Sequence, residues 1–322
     1  MTPNFDMADP DYERDFRKEL RTDGMVASGP FLDIGGSYET GHSLRELIQA
    51  QKASVLFERL EPVAEKERER KLDRPLYQHQ ETAMLKAGKG ENLVVTTGTG
   101  SGKTESFLLP IINHLLREQE AGTLSAGVRA IIIYPMNALA NDQMKRMRAL
   151  FKNYPQICYG VYNGNTEHTQ SKALAEYHRT YHDETGEPTD PAPNEIISRE
   201  VMQQRPPHIL ITNYSMLEYM MLRPKDDAVF SGAKLKFIVL DEAHIYKGAT
   251  GMETSLLMRR LRARISEPDS VQYILTSATL GGPDADGDIL SFAEKLCGVA
   301  FQRSHVLSAA EALAALPKSD ED

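Results

Sequence analysis

Val94-Val95-Thr96-Thr97-Gly98-Thr99-Gly100-Ser101-Gly102-Lys103-Thr104 decides the fold. A short β-type run, Leu93–Thr96, enters a glycine-rich turn. Glu105–Gln119, apolar at helical spacing, follows it. This strand–loop–helix order is the context a phosphate-binding loop requires. Glycines let successive backbone N–H groups converge on phosphate oxygens, and the helix N-terminus adds a favourable dipole. The whole stretch from Thr97 through Gly98, Thr99, Gly100, Ser101 and Gly102 is therefore a candidate nucleotide cradle. Lys103 would reach the β- and γ-phosphates, and the Thr104 hydroxyl would ligate Mg²⁺. The strict pattern has glycine five residues before Gly102, and this chain has Thr97 there.

A second signal lies downstream. The apolar run Phe237-Ile238-Val239-Leu240 ends directly in Asp241-Glu242-Ala243-His244. Carboxylates at the end of a buried strand are costly unless something cationic faces them. Taken alone, the two acids could cap a helix. Beside a phosphate loop, Asp241 would hold Mg²⁺ and Glu242 would polarise the attacking water.

Between and around these motifs the chain alternates. Ala130–Tyr134, Ile157–Tyr162, His208–Thr212 and Tyr273–Ser277 read as buried strands. Ala138–Lys152 reads as a helix with Ala140, Met144, Met147 and Phe151 on one face. Continuous apolar strands separated by helices imply α/β architecture, with a mostly parallel sheet covered on both faces. Residues 1–70 read as a mainly helical N-terminal extension, with helices near 12–21 and 43–60. Residues 71–300 form the main domain, interrupted by a polar insertion at 167–205 with a partly disordered tip. Residues 301–322 read as an acidic tail or the start of a linker, with a short helix at 309–316.

Composition sets bounds. The chain has 322 residues and a formal charge of −9, which excludes a polybasic coat as the main route to nucleic acid. It leaves room for a narrow track. Two cysteines 139 residues apart form no zinc knuckle, and read as thiols in a reducing compartment. The acidic start has no apolar core, and no apolar stretch reaches the ~18 residues of a membrane span. A cytoplasmic protein without membrane contact is expected. His178 and His182 have i, i+4 spacing, but the intervening residues lack a catalytic Glu and no third ligand is evident.

The order of the Lys103 loop, Asp241-Glu242-Ala243-His244 and Thr276-Ser277-Ala278-Thr279 resembles superfamily 2 DEAD/DEAH-box helicases. The match is to their first RecA-like domain and runs over about residues 74–300. Leu76–Gln80, Tyr134–Leu139, Tyr162–Thr166, Ile211–Tyr214 and Tyr246–Gly248 resemble the YprA/MrfA-type branch of bacterial repair and antiphage-defence helicases.

The resemblance implies a RecA-like three-layer αβα domain that uses ATP and Mg²⁺. It implies that Gln80 reads the adenine edge, with Tyr77 near the base or ribose. Without the family, Gln80 is one surface glutamine among many. Ser277 and Thr279 would couple the nucleotide to domain movement, with His244 as their polar neighbour. Pro135, Asn137, Gly164, Thr166, Thr212 and Asn213 would meet nucleic-acid phosphates, DNA more readily than RNA. Each could also be an ordinary turn residue. Lys145, Arg146 and Arg148, and Arg259, Arg260, Arg262 and Arg264, form two basic helical patches, read mainly as solvated faces or domain contacts.

Such motors use a second RecA-like domain, which supplies an arginine finger. The 42 residues after Leu280 are too few for one. The expectation is a motor half completed in cis or by a partner chain. The alternative is a non-motor, ATP-dependent docking module of a multisubunit complex.

Overall fold

In the computed structural model the described residues are 11, 14, 38–60, 72–98, 100–182, 185–278 and 286–308. The expected helices at 12–21 and 309–316 lie outside the described residues, save the helical Arg14, as do Thr99 and Thr279. By contact the chain divides into residues 38–315 and a unit of 1–37 with 316–322. In the latter only Asp11 and Arg14 are described, and they form an ion pair at 2.6 Å.

The larger unit begins with β1 (Thr40–Ser43) and α1 (Leu44–Gln49), then β2 (Pro75–Tyr77) and α2 (Gln78–Gly88). β1 and β2 pair antiparallel. The expected helix over 43–60 does start at Ser43, whose side chain and that of Glu46 form a capping box. It stops early because Gln51 turns left-handed at φ +57°. Hydrogen bonds from a long helix then take over the backbone: Arg117 donates to Gln51 O, and Asn113 Oδ1 accepts from Ser54 N. Val55–Leu60 continues as a 3₁₀ turn.

The core sheet follows. β3 (Leu93–Thr96) leads into α3 (Lys103–Glu120), β4 (Ala130–Ile133) into α4 (Asn137–Phe151), and β5 (Tyr159–Tyr162) into α5 (Gln170–Thr180). Next come β6 (Glu195–Ile196), α6 (Arg199–Gln204), β7 (Ile209–Thr212), α7 (Tyr214–Leu222) and α8 (Asp227–Phe230). The chain closes with β8 (Phe237–Leu240), α9 (Gly248–Arg264), β9 (Gln272–Thr276), α10 (Asp286–Cys297) and β10 (Val306–Ser308).

The eight strands β10-β3-β9-β8-β4-β7-β5-β6 form one sheet in that order. Every adjacent pair is parallel. Alternate residues feed two cores. Ala130, Ile132, Phe237 and Val239 pack with Phe107, Ile111 and Phe151 on one face. Ile131, Ile133, Ile238 and Leu240 pack with Leu217, Leu257 and Leu261 on the other. The result is the RecA-like three-layer αβα fold, with helices on both faces as parallel sheets require.

Two segments differ from expectation. Residues 167–205 hold α5, the edge strand β6 and α6, fastened by an ion pair at 2.7 Å between the half-buried Arg148 and the buried Glu195. Their polar surface hides this order, because only a few positions, such as Ala173, Ile196 and Met202, turn inward. Residues 306–308, expected in a tail or linker, add an edge strand beside β3. Val306 and Leu307 are buried there, and so short a run carries no periodicity.

Candidate nucleotide site and strand track

Parallel strands all present their C-terminal ends at one edge, and side chains placed there converge. Here β3, β9 and β8 are neighbours. The phosphate loop follows β3, Asp241-Glu242 follows β8, and Ser277 follows β9 between them.

The loop is held by its own side chains. Gly100 and Gly102 have φ of +78° and +72°, a region where a Cβ is strained. Thr97 is fully buried at ordinary φ, so glycine is not needed there. Its hydroxyl lies 2.6 Å from the Ser101 hydroxyl and ties the loop across its base. His79 Nε2 donates to Ser101 O at 2.9 Å, and Gln80 Nε2 donates to Gly102 O at 3.1 Å. Gln80 Oε1 accepts from Tyr77 N at 3.0 Å. The amide expected to read adenine thus fastens the loop to the start of α2.

Lys103 Nζ donates to Thr97 O and Gly98 O, both at 3.1 Å. Burial lowers its pKa, against the attraction of Glu242 and Asp241. Thr104 sits half-buried in the first turn of α3. Asp241 accepts a hydrogen bond from the Thr276 hydroxyl. Burial raises its pKa, against that hydrogen bond. Glu242 has φ +49°, and its N–H donates to Thr276 Oγ1 at 3.3 Å. His244 Nδ1 lies 3.3 Å from the Glu242 carboxylate and 3.1 Å from the Ser277 hydroxyl. Ser277 N donates to Val95 O at 2.9 Å, so the ends of β3, β9 and β8 are linked.

A half-buried ammonium bonded to two loop carbonyls, a glycine turn opening an 18-residue helix and two strand-end carboxylates suit a nucleoside triphosphate with a divalent ion. Lys103 and the loop would hold the phosphates, and Thr104 and Asp241 the ion.

Two further aromatic groups border the site. Tyr77 stacks on His79 at 5.7 Å and 14°. Tyr38 meets both edge-on, at 5.4 and 5.8 Å. No spacing rule ties Tyr38 to residues 77–79; the β1–β2 pairing brings it there.

The other half of the same edge is built from β4, β7 and β5. Pro135 and Asn137 follow β4, Thr212 and Asn213 follow β7, and Gly164 and Thr166 follow β5. Asn213 Nδ2 donates to Asn137 Oδ1 at 2.8 Å, while its Oδ1 caps α7 by accepting from Met216 N. Gly164 is exposed. Thr212 is buried, with its hydroxyl donating to Tyr162 O, and Thr166 Oγ1 donates to Val161 O. These two hydroxyls are turned inward and hold the loops.

The basic patches are largely paired. Arg146 meets Glu105, Arg260 meets Glu218, Arg262 meets Asp269, and Arg264 meets Asp227. Arg259 donates to Ser255 and to Lys295 O. His178 pairs with Asp190 at 2.7 Å. No group of three or more His, Cys, Asp or Glu among the described residues is arranged to hold a metal ion, and no described helix is long and apolar enough to cross a membrane.

Comparison with known proteins agrees with this geometry. The DEAD/DEAH box helicase family model matches residues 77–184 and 182–286. Druantia protein DruE of Escherichia coli is 34% identical over 369 residues, covering 88% of this chain and 20% of that protein. The uncharacterized ATP-dependent helicase YprA of Bacillus subtilis is 30% identical over 219 residues, covering 67% of this chain and 24% of that protein. The solved structure of the DUF1998 helicase MrfA is 27% identical with a TM-score of 0.53, covering 74% of this chain and 31% of that one. MrfA has also been solved bound to DNA. The chain spans about a fifth to a quarter of the length of these two curated relatives.

Proposed function

The chain belongs to the DEAD/DEAH box helicase family, and on that premise we propose that it is the ATP-binding motor domain of a DNA helicase or translocase. A second RecA-like domain would complete its site. One observation carries the reading: the Lys103 loop, Asp241-Glu242 and Ser277 occupy the ends of three adjacent strands. DNA is favoured over RNA because the relative MrfA was solved with DNA bound.

Lys103 would exchange its two loop carbonyls for phosphate oxygens, a gain for a half-buried ammonium. Mg²⁺, held by Thr104 and Asp241, would supply charge neutralisation at the phosphates. Glu242 would orient a water and take its proton. Through His244, a change at Glu242 would reach Ser277 and the strand ends behind it. The loops after β4, β7 and β5 would position a single strand by backbone N–H groups and small polar side chains, without reading sequence.

The test is ATP hydrolysis by the chain with and without single-stranded DNA, beside Lys103→Ala and Glu242→Gln, before and after a second RecA-like domain is supplied. DNA-stimulated turnover that appears with the second domain and disappears in both variants is expected. Stimulation that survives Glu242→Gln would overturn the assignment of the catalytic base.

A further inference from the structure

Just past the third loop of the proposed track lies a cleft of about 300 Å³. That is at the lower end for small-ligand pockets. The turn after β5 forms its floor, α4 one wall and α5 the other. The cleft shares Thr166 with the track. Its floor is rigid: the buried Arg199 reaches from α6 to donate to Asn163 O at 2.9 Å and Gly164 O at 3.3 Å.

The wall chemistry selects the occupant. Arg148 is the cation in the cleft, and Glu195 neutralises it through two hydrogen bonds of 2.8 and 2.7 Å. Glu167 and Glu176 also line the space. With Arg148 held by Glu195 and Glu176 paired with Arg179 at 2.7 Å, the lining offers no spare cation to a phosphate. The same wall carries a stacked platform, with the Arg148 guanidinium carbon 4.2 Å from the Tyr181 ring centre and 5.2 Å from that of Tyr177, and a base would extend it from the half-buried Tyr181. Unstacked bases pack on aromatic rings and guanidinium planes, and carboxylates accept hydrogen bonds from exocyclic amines.

We infer that this cleft receives one unstacked nucleobase of the bound single strand, and that it favours a base with an exocyclic amine over thymine. The inference rests on the strand-track reading above. A strand crossing the loops after β4, β7 and β5 arrives with its next base over the mouth of the cleft.

The experiment measures binding of fluorescent oligo(dC) and oligo(dT) of about 12 nucleotides to the 322-residue chain, to Tyr181→Ala and to Thr180→Phe. Thr180 stands exposed at the rim, so the larger ring blocks the mouth without touching the core. Circular dichroism checks that each variant is folded. The wild-type chain is expected to bind oligo(dC) about fivefold more tightly than oligo(dT), and Thr180→Phe to bind the two equally. Equal wild-type affinities, or a preference that persists in a folded Thr180→Phe, would overturn the cleft while leaving the track. Failure of the wild type to bind either oligomer would overturn the track, and the cleft with it.

Discussion

Glu242 stands at φ +49°, where a side chain costs about 1 kcal/mol or more. The strain falls on the residue proposed to activate water, as backbone strain at functional sites tends to do. Glu242→Gly would remove the strain and the base together. A melting temperature no lower than wild type, with hydrolysis lost, is the expected outcome of thermal unfolding and ATPase measurements. His79 can be tested the same way. His79→Phe keeps the ring on Tyr77 but loses the hydrogen bond to Ser101 O, and should weaken ATP binding about five- to tenfold; unchanged affinity would show that the loop holds its shape without it.

Lys103, Asp241 and Glu242 were legible as candidates because phosphate and metal chemistry dictates residue types at fixed offsets. Thr97 was legible only as a departure from that pattern. Its hydroxyl bond to Ser101 gives the departure a structural reason. Tyr38 and His79 were not legible as site residues, since their roles arise from tertiary contact.

Among the elements, β5 and β6 show how tightly the sheet edge is packed. A Cβ on Gly160 would lie 2.5 Å from Ile196 O and 2.7 Å from Met202 Cε. Backbone cannot yield as a flexible side-chain end does, so Gly160→Ala should destabilise the chain by about 1–3 kcal/mol. Chemical denaturation checks this; a shift under ~0.5 kcal/mol would mean that β6 is easily displaced. Helix α3 carries a pH dependence. His114 packs edge-on against Phe237, and burial, aided by Lys236 and Arg129, lowers its pKa from 6.5 to about 4. The unfolded chain thus binds more protons between these values. The stability linked to His114 is fully present above pH 6.5 and is lost as the pH falls toward 4. His114→Phe should flatten part of that decline in thermal melts. The strands and long helices were legible from continuous apolar runs and helical spacing. The insertion elements and β10 were not, because one edge contact or three residues give no period to read.

For the whole molecule, strand order does the sorting. β3, β9 and β8 collect the groups proposed to hold the nucleotide, and β4, β7 and β5 collect the loops proposed to touch the strand. β8 and β4 are adjacent, so Asp241 and Pro135 lie at the ends of neighbouring strands, and Asp241 N donates to Ile133 O at 3.1 Å. A change at the proposed nucleotide site would therefore have a short path to the proposed track. An arginine finger contributes about 10³–10⁵ in rate in related phosphate-loop enzymes. The chain alone should accordingly hydrolyse ATP slowly. A DNA-stimulated rate above ~1 s⁻¹ from the chain by itself would mean that its site is complete.

The most direct test of the account is equilibrium ATP binding with Mg²⁺ by the chain, Lys103→Ala and Glu242→Gln. Binding by the wild type and by Glu242→Gln is expected, and its loss in Lys103→Ala. ATP binding that survives in a folded Lys103→Ala would contradict the assignment of the loop after β3 as the nucleotide site.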